Sequence, residues 1–108
     1  GANYEKVLKK YISKINHVHC KDIRKNVLEK SLTEDLSFRD SFLNGVFTVP
    51  GDGCIDYKPL LRILKENNYD KWLVVEAEQD PKKANPLKYA KIGNNYLTGI
   101  IDEVGYRI

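Results

Sequence analysis

An apolar run that ends in acids constrains this chain more than any other feature. Trp72-Leu73-Val74-Val75 leads into Glu76-Ala77-Glu78, and ahead of it lie a Gly-rich turn, Pro50-Gly51-Asp52-Gly53, and apolar residues at helical spacing, Tyr57, Leu60, Leu61 and Leu64. Loop, helix and apolar strand in that order make a piece of a parallel α/β protein, with a helix expected over 57–68 and a strand over 72–77. Ligands of such sheets sit outside the carboxyl ends of the strands, so Glu76 and Glu78 stand where chemistry usually happens. A second strand, expected over 15–21, ends the same way. Its alternation in Ile15-Asn16-His17-Val18-His19-Cys20-Lys21 turns His17, His19 and Lys21 to one side, with Asp22 at the end.

The rest of the chain supports these two strands. Tyr4, Val7, Leu8, Tyr11 and Ile12 recur at helical spacing, which predicts a helix over 3–14. From Asp22 to Cys54 runs an excursion too long for an ordinary βα connection; it reads equally as a builder of substrate specificity or as a cover over apolar surface. Within it, Ser37-Phe38-Arg39-Asp40 has the spacing of a capping box, and Phe38, Phe42 and Leu43 form a short amphipathic helix stopped by Gly45. Gly51 and Gly53 are expected to take backbone angles that other residues avoid. The spacing around them matches no P-loop and no dinucleotide fingerprint. Asp56 reads as the N-cap of the following helix, and Pro59 is tolerated in its first turn. A last helix, over 86–104, carries Leu97, Ile100, Ile101 and Val104 on one stripe. The two strands should be parallel neighbours joined by a right-handed crossover through the helix at 57–68.

Composition bears on what can be excluded. With 42% hydrophobic and 31% charged residues, and no apolar run near the 18 residues that a membrane helix needs, the chain reads as soluble, globular and intracellular, with no membrane partner. Cys20 and Cys54 lack any paired spacing, so both are read as reduced thiols rather than as a redox or zinc motif. The net charge of +3 is concentrated early: residues 1–31 hold eight Lys or Arg against three acids. Lys6, Lys9, Lys10 and Lys14 nevertheless fall opposite the apolar stripe of the first helix, and no stacking aromatics accompany them, so no nucleic-acid partner is expected. The opening Gly1-Ala2 fits a cloning scar or a cleavage product better than a natural start.

From residues alone, an HxH strand with a later strand-end Glu has two readings. Imidazole and carboxylate suit Mn²⁺, Co²⁺ or Zn²⁺, but two ligands do not complete a site. The other reading is a pair of hydrogen-bonded core histidines.

The words HVHCKD, TVPGDGCIDY and LVVEAEQDP resemble the C-terminal part of the inosose dehydratases, within the sugar isomerase and epimerase-like superfamily of (β/α)8 barrels. The likeness covers nearly the whole chain as one C-terminal fragment of a barrel domain, about its last two strands with flanking helices, where a complete barrel takes about 250 residues. It implies that His19 and Glu76 bind a catalytic divalent cation, Mn²⁺ or Co²⁺, and that Glu76 also moves the proton. It implies two further ligands, a Glu and an Asp from earlier strands, that have no counterpart here. His17, Lys21, Asp22 and Glu78 become candidate substrate contacts. The implied activity is a cytoplasmic lyase that removes water from 2-keto-myo-inositol, a cyclic polyol ketone, by enolisation and β-elimination. A metal-dependent ketose epimerase or isomerase is the alternative. Glutathione is associated with the family, though nothing in these residues marks a glutathione site. By itself the chain is expected to be inactive, and either to self-associate, through an exposed sheet edge or an apolar helix face such as Leu97, Ile100, Ile101 and Val104, or to need the N-terminal part of the barrel.

Overall fold

The computed structural model describes residues 2–107, so Gly1 of the opening pair lies outside the described residues. Asn3 starts the first helix, α1 (Tyr4–Tyr11), by accepting the Lys6 N–H at 2.9 Å, one of the four donors that a helix start leaves unpaired. The expected span of 3–14 divides at Tyr11: Ile12–Lys14 tighten into a 3₁₀ turn that delivers the chain to the sheet.

The strands β1 (Val18–Cys20) and β4 (Leu73–Val75) are parallel neighbours with Val18 opposite Leu73, His19 opposite Val74 and Cys20 opposite Val75. Both are shorter than the expected 15–21 and 72–77. A bend at Lys71 interrupts the chain just before β4, and the Trp72 carbonyl is shared between the Tyr69 hydroxyl at 2.8 Å and the Val18 N–H at 3.4 Å. Trp72, the first residue of the apolar run, is 76% exposed. Leu73, Val74 and Val75 are only half-buried, although a strand of a parallel sheet is normally covered on both faces.

The excursion is folded rather than loose. It holds β2 (Asp22–Ile23), α2 (Lys25–Thr33), α3 (Phe38–Leu43) and β3 (Phe47–Thr48), and β2 pairs antiparallel with β3. The helix α3 begins where the capping box placed it: Ser37 Oγ accepts the Asp40 N–H at 3.1 Å and donates to Asp40 Oδ2 at 2.6 Å. No such signal announces α2, whose N-cap is Arg24 without a side-chain cap and whose one buried residue is Ser31.

The helix α4 (Tyr57–Glu66) starts at the Asp56 cap and buries Tyr57, Leu61, Ile63 and Leu64 between α1 and α5 (Pro86–Glu103). Leu97 and Ile100 of α5 complete that core with Cys20 and Tyr69, each such apolar side chain contributing roughly 1.5–3 kcal/mol of burial. This corrects the expected self-association face. Leu97 and Ile100 are buried inside the chain, and Ile101 and Val104 pack against the same core. The large apolar side chains left in solvent lie elsewhere, Tyr4, Val7 and Tyr11 on α1, Leu32 on α2, Phe38 and Leu43 on α3, and Trp72 and Leu87. Among the described residues no helix is long and apolar enough to cross a membrane.

Candidate functional site

The parallel register sets the site. Cys20 pairs with Val75, and the Glu76 N–H still donates to the Cys20 carbonyl at 3.0 Å, so the two chains run together past the last paired residues. Alternation on β1 puts His19 and Lys21 on the side away from buried Cys20, and Glu76 meets them there. His19 Nδ1 lies 2.8 Å from Glu76 Oε2, and Lys21 Nζ donates to Glu76 Oε1 at 3.3 Å. The tips of His19 and Glu76 are thus close enough to face one ion together.

Lys21 also pairs with Glu78 and lies over the Phe47 ring, 4.5 Å from its centroid. Its main chain is fixed as well, because the buried Tyr57 hydroxyl donates to the Lys21 carbonyl at 2.8 Å. Burial pushes the Lys21 ammonium toward a lower pKa, but hydrogen bonds to Glu78 and Glu76 outweigh that and leave it above the ordinary lysine value. Glu76 is held below the ordinary carboxylate range, first by its hydrogen bond to His19 and then by Lys21. Glu78 adopts a left-handed backbone with φ 47°, which costs a non-glycine residue about 1–2 kcal/mol. The partner of Glu78 is the strand-end Lys21.

His17 stands beside this group, exposed, its ring edge-on to His19 at 5.2 Å between centroids. The reading of two hydrogen-bonded core histidines therefore fails, since both rings face solvent and His19 bonds a carboxylate. Asp22 does not join the site. It is 1% exposed, and its Oδ1 accepts the backbone N–H groups of Ile23, Cys54 and Ile55 at 2.8, 2.9 and 3.0 Å. The carboxylate holds the Gly-rich turn against the strand end instead of facing a ligand. The two glycines of that turn act differently from each other: Gly51 takes φ +89°, whereas Gly53 is needed because a Cβ would collide with the Asp22 carboxylate.

Sequence reasoning missed Arg24. Its guanidinium donates to the Gly45 carbonyl at 2.7 Å, the Phe47 carbonyl at 3.3 Å, Thr48 Oγ1 at 3.1 Å and Asp52 Oδ2 at 2.6 Å, with the Tyr89 hydroxyl at 3.4 Å. One side chain thus ties β3, the Gly-rich turn and α5 together. No local signal in the sequence marks it, because Thr48 and Asp52, its polar partners around the buried Val49-Pro50 pair, lie more than twenty residues away.

As a metal centre the group is chemically apt and numerically incomplete. An imidazole nitrogen and a carboxylate that already converge suit Mn²⁺, Co²⁺ or Zn²⁺. Among the described residues, no three His, Cys, Asp or Glu side chains gather where they could hold an ion. His19 and Glu76 fit as two ligands, and an ion held between them would need further donors beyond the described residues.

Comparison with known proteins gives the group its context. Residues 2–98, which include every residue of the site, match the family described as xylose isomerase-like TIM barrels. The chain is 54% identical over 97 residues to an inosose dehydratase of Clostridium botulinum (strain Eklund 17B / Type B), covering 90% of this chain and 33% of that protein. It is 52% identical over 96 residues to an inosose dehydratase of Bacillus licheniformis, covering 89% of the chain and 32% of the relative. With an inosose dehydratase of Clostridium tetani the identity is 55% over 91 residues, covering 84% and 30%. The chain spans about a third of the length of the curated relatives it matches.

Proposed function

The chain belongs to the xylose isomerase-like TIM barrel family, and from that membership we propose that it forms the His19–Glu76 part of the active site of an inosose dehydratase, a lyase that removes water from 2-keto-myo-inositol. The observation that carries the reading is the convergence of His19, Lys21 and Glu76 at the carboxyl ends of two parallel strands, in a chain more than half identical to inosose dehydratases. We place the reaction in cytoplasmic inositol catabolism, which the two unbridged cysteines, Cys20 and Cys54, support.

The chemistry follows from what the side chains can do. A hydrogen next to a ketone is too weakly acidic to leave at neutral pH without help. A divalent cation, Mn²⁺ or Co²⁺, bound by His19 and Glu76 with donors from beyond this chain, would polarise the ketone and stabilise the enolate. Glu76 is ionised at neutral pH, because His19 and Lys21 favour its charged form, and so can accept the α-proton. Lys21 keeps that carboxylate oriented and contributes positive charge where negative charge develops. Exposed His17 and Glu78, the partner of Lys21, would bind hydroxyls at the rim of the substrate. Asp22 supports the frame.

Assay of the complete protein with inosose and with ketoses, each with Mn²⁺ or Co²⁺, tests the reading. Dehydration of inosose that falls at least about a hundredfold in Glu76→Gln is expected, since the amide cannot act as a base. Turnover of ketoses without dehydration of inosose would replace the dehydratase reading with epimerase or isomerase activity.

A further inference from the structure

Lys21 reaches Glu76 on the end of a flexible four-carbon stem, and two acids draw on its ammonium. Glu76 Oε1 accepts at 3.3 Å, whereas Glu78 makes the closer pair. Sharing this unequal does not by itself keep the ammonium at Glu76. A third contact bears on it: the Phe47 ring, whose centroid lies 4.5 Å from Lys21 Nζ. The face of an aromatic ring carries partial negative charge, so it attracts a cation, yet it takes no proton and adds no further carboxylate.

Both partners of that contact are anchored, and from different parts of the fold. On the side of Lys21, the Tyr57 hydroxyl of α4 donates to its carbonyl at 2.8 Å. On the side of Phe47, β3 pairs with β2, the Phe47 carbonyl accepts from Arg24 at 3.3 Å, and Phe38 of α3 packs 5.8 Å from the ring with a tilt of 49°. Phe47 is half-buried while Phe38, which braces it, is 72% exposed. The ring is therefore a fixed surface on which a mobile cation rests. Held there, the ammonium stays within reach of the Glu76 carboxylate, whose other oxygen is engaged by His19 at 2.8 Å.

We propose that Phe47, braced by Phe38, is a positioning residue for the reaction: its ring holds the Lys21 ammonium against Glu76, so that the carboxylate keeps one orientation as it takes the α-proton. The proposal rests on the dehydratase reading and deepens it, giving the excursion a part in turnover without contact to the substrate.

Kinetics of the complete protein with inosose provide the test. In Phe47→Leu, which stays apolar but loses the ring, kcat should fall about fivefold, the size of one cation–π contact. KM should not move, nor should the calorimetric affinity for myo-inositol, which has the ring of the substrate but no ketone. Phe47→Tyr keeps the aromatic face and should restore kcat to within about twofold of wild type. In a Lys21→Met background Phe47→Leu should cost nothing further, since no ammonium is left to hold. NMR of selectively lysine-labelled protein adds a reading that does not depend on turnover: the ring current of Phe47 should shift the Lys21 ε-methylene protons upfield, and Phe47→Leu should abolish that shift. If Phe47→Leu unfolds by circular dichroism, exposed Phe38→Ala decides in its place, with a smaller loss of kcat that also vanishes without Lys21. An unchanged kcat in the folded variant, a loss of equal size with and without Lys21, or an unshifted Lys21 ε-methylene in wild type overturns the proposal. A wild type that shows the shift yet fails to dehydrate inosose would sink the dehydratase reading and leave Phe47 as the residue that places Lys21.

Discussion

Asp22 separates a structural reading from a functional one, and its replacement has a computable cost. In Asp22→Ala the backbone N–H groups of Ile23, Cys54 and Ile55 lose a charged acceptor. Cys54 keeps a second partner, the Ile23 carbonyl at 3.0 Å, so two groups bear most of the loss. Hydrogen bonds to a charged group contribute about 1.5–3 kcal/mol each, which puts Asp22→Ala at roughly 3–6 kcal/mol of destabilisation. Asp22→Asn is milder and fails for another reason. Its carbonyl oxygen can take over the role of Oδ1, but its NH₂ then occupies the position of Oδ2, which is buried with no partner among the described residues. An orphaned buried donor costs about 1–3 kcal/mol. Urea unfolding of the complete protein should rank wild type above Asp22→Asn and Asp22→Ala last, with midpoints shifted and slopes unchanged. Folded Asp22→Asn should bind myo-inositol as wild type does. An Asp22→Ala variant of wild-type stability would refute the buckle, and a folded Asp22→Asn without ligand affinity would return Asp22 to the substrate contacts.

Two further expectations follow from titration and burial. Lys21→Met removes one of the interactions that lower the Glu76 pKa, so carbon-detected NMR should show Glu76 titrating closer to the ordinary 4.5; an unchanged curve would mean that Lys21 does not engage the carboxylate in solution. Because the folded pKa of Glu76 is lowered, the contribution of its pairing is complete above the ordinary carboxylate range and disappears as the pH falls through the folded value. Burial pushes the Cys20 thiol up to about 11, whereas Cys54 is exposed, so brief alkylation at neutral pH followed by peptide mapping should modify Cys54 and spare Cys20. Equal labelling of both would show that the β1 core opens readily.

What could be read from the sequence and what could not divide along the range of the interactions involved. Capping is local: Asp56 and Ser37 each satisfy a backbone N–H two or three residues ahead, so the helix starts at 38 and 57 were legible from neighbouring residues. Alternation is local too, and it was enough to put His19 and Lys21 on one side and to bring Glu76 to meet them once β1 and β4 pair in parallel. Asp22 misled because a strand-end acid looks the same in sequence whether it faces a ligand or a backbone loop some thirty residues away; only the closure of the Gly-rich turn, with no room for a Cβ at Gly53, decides between them. Arg24 was invisible for the same reason, since its acceptors lie between residues 45 and 89 and none is adjacent in sequence. These two residues flank Ile23, on the short strand that pairs with the backbone of Phe47. The excursion that looked equally like a cover or a specificity element is held in place by these long-range contacts. Asp22 and Arg24 fasten it to the ends of the strands, and by being fastened it can hold an aromatic ring at a set distance from Lys21 and the acids that Lys21 pairs with.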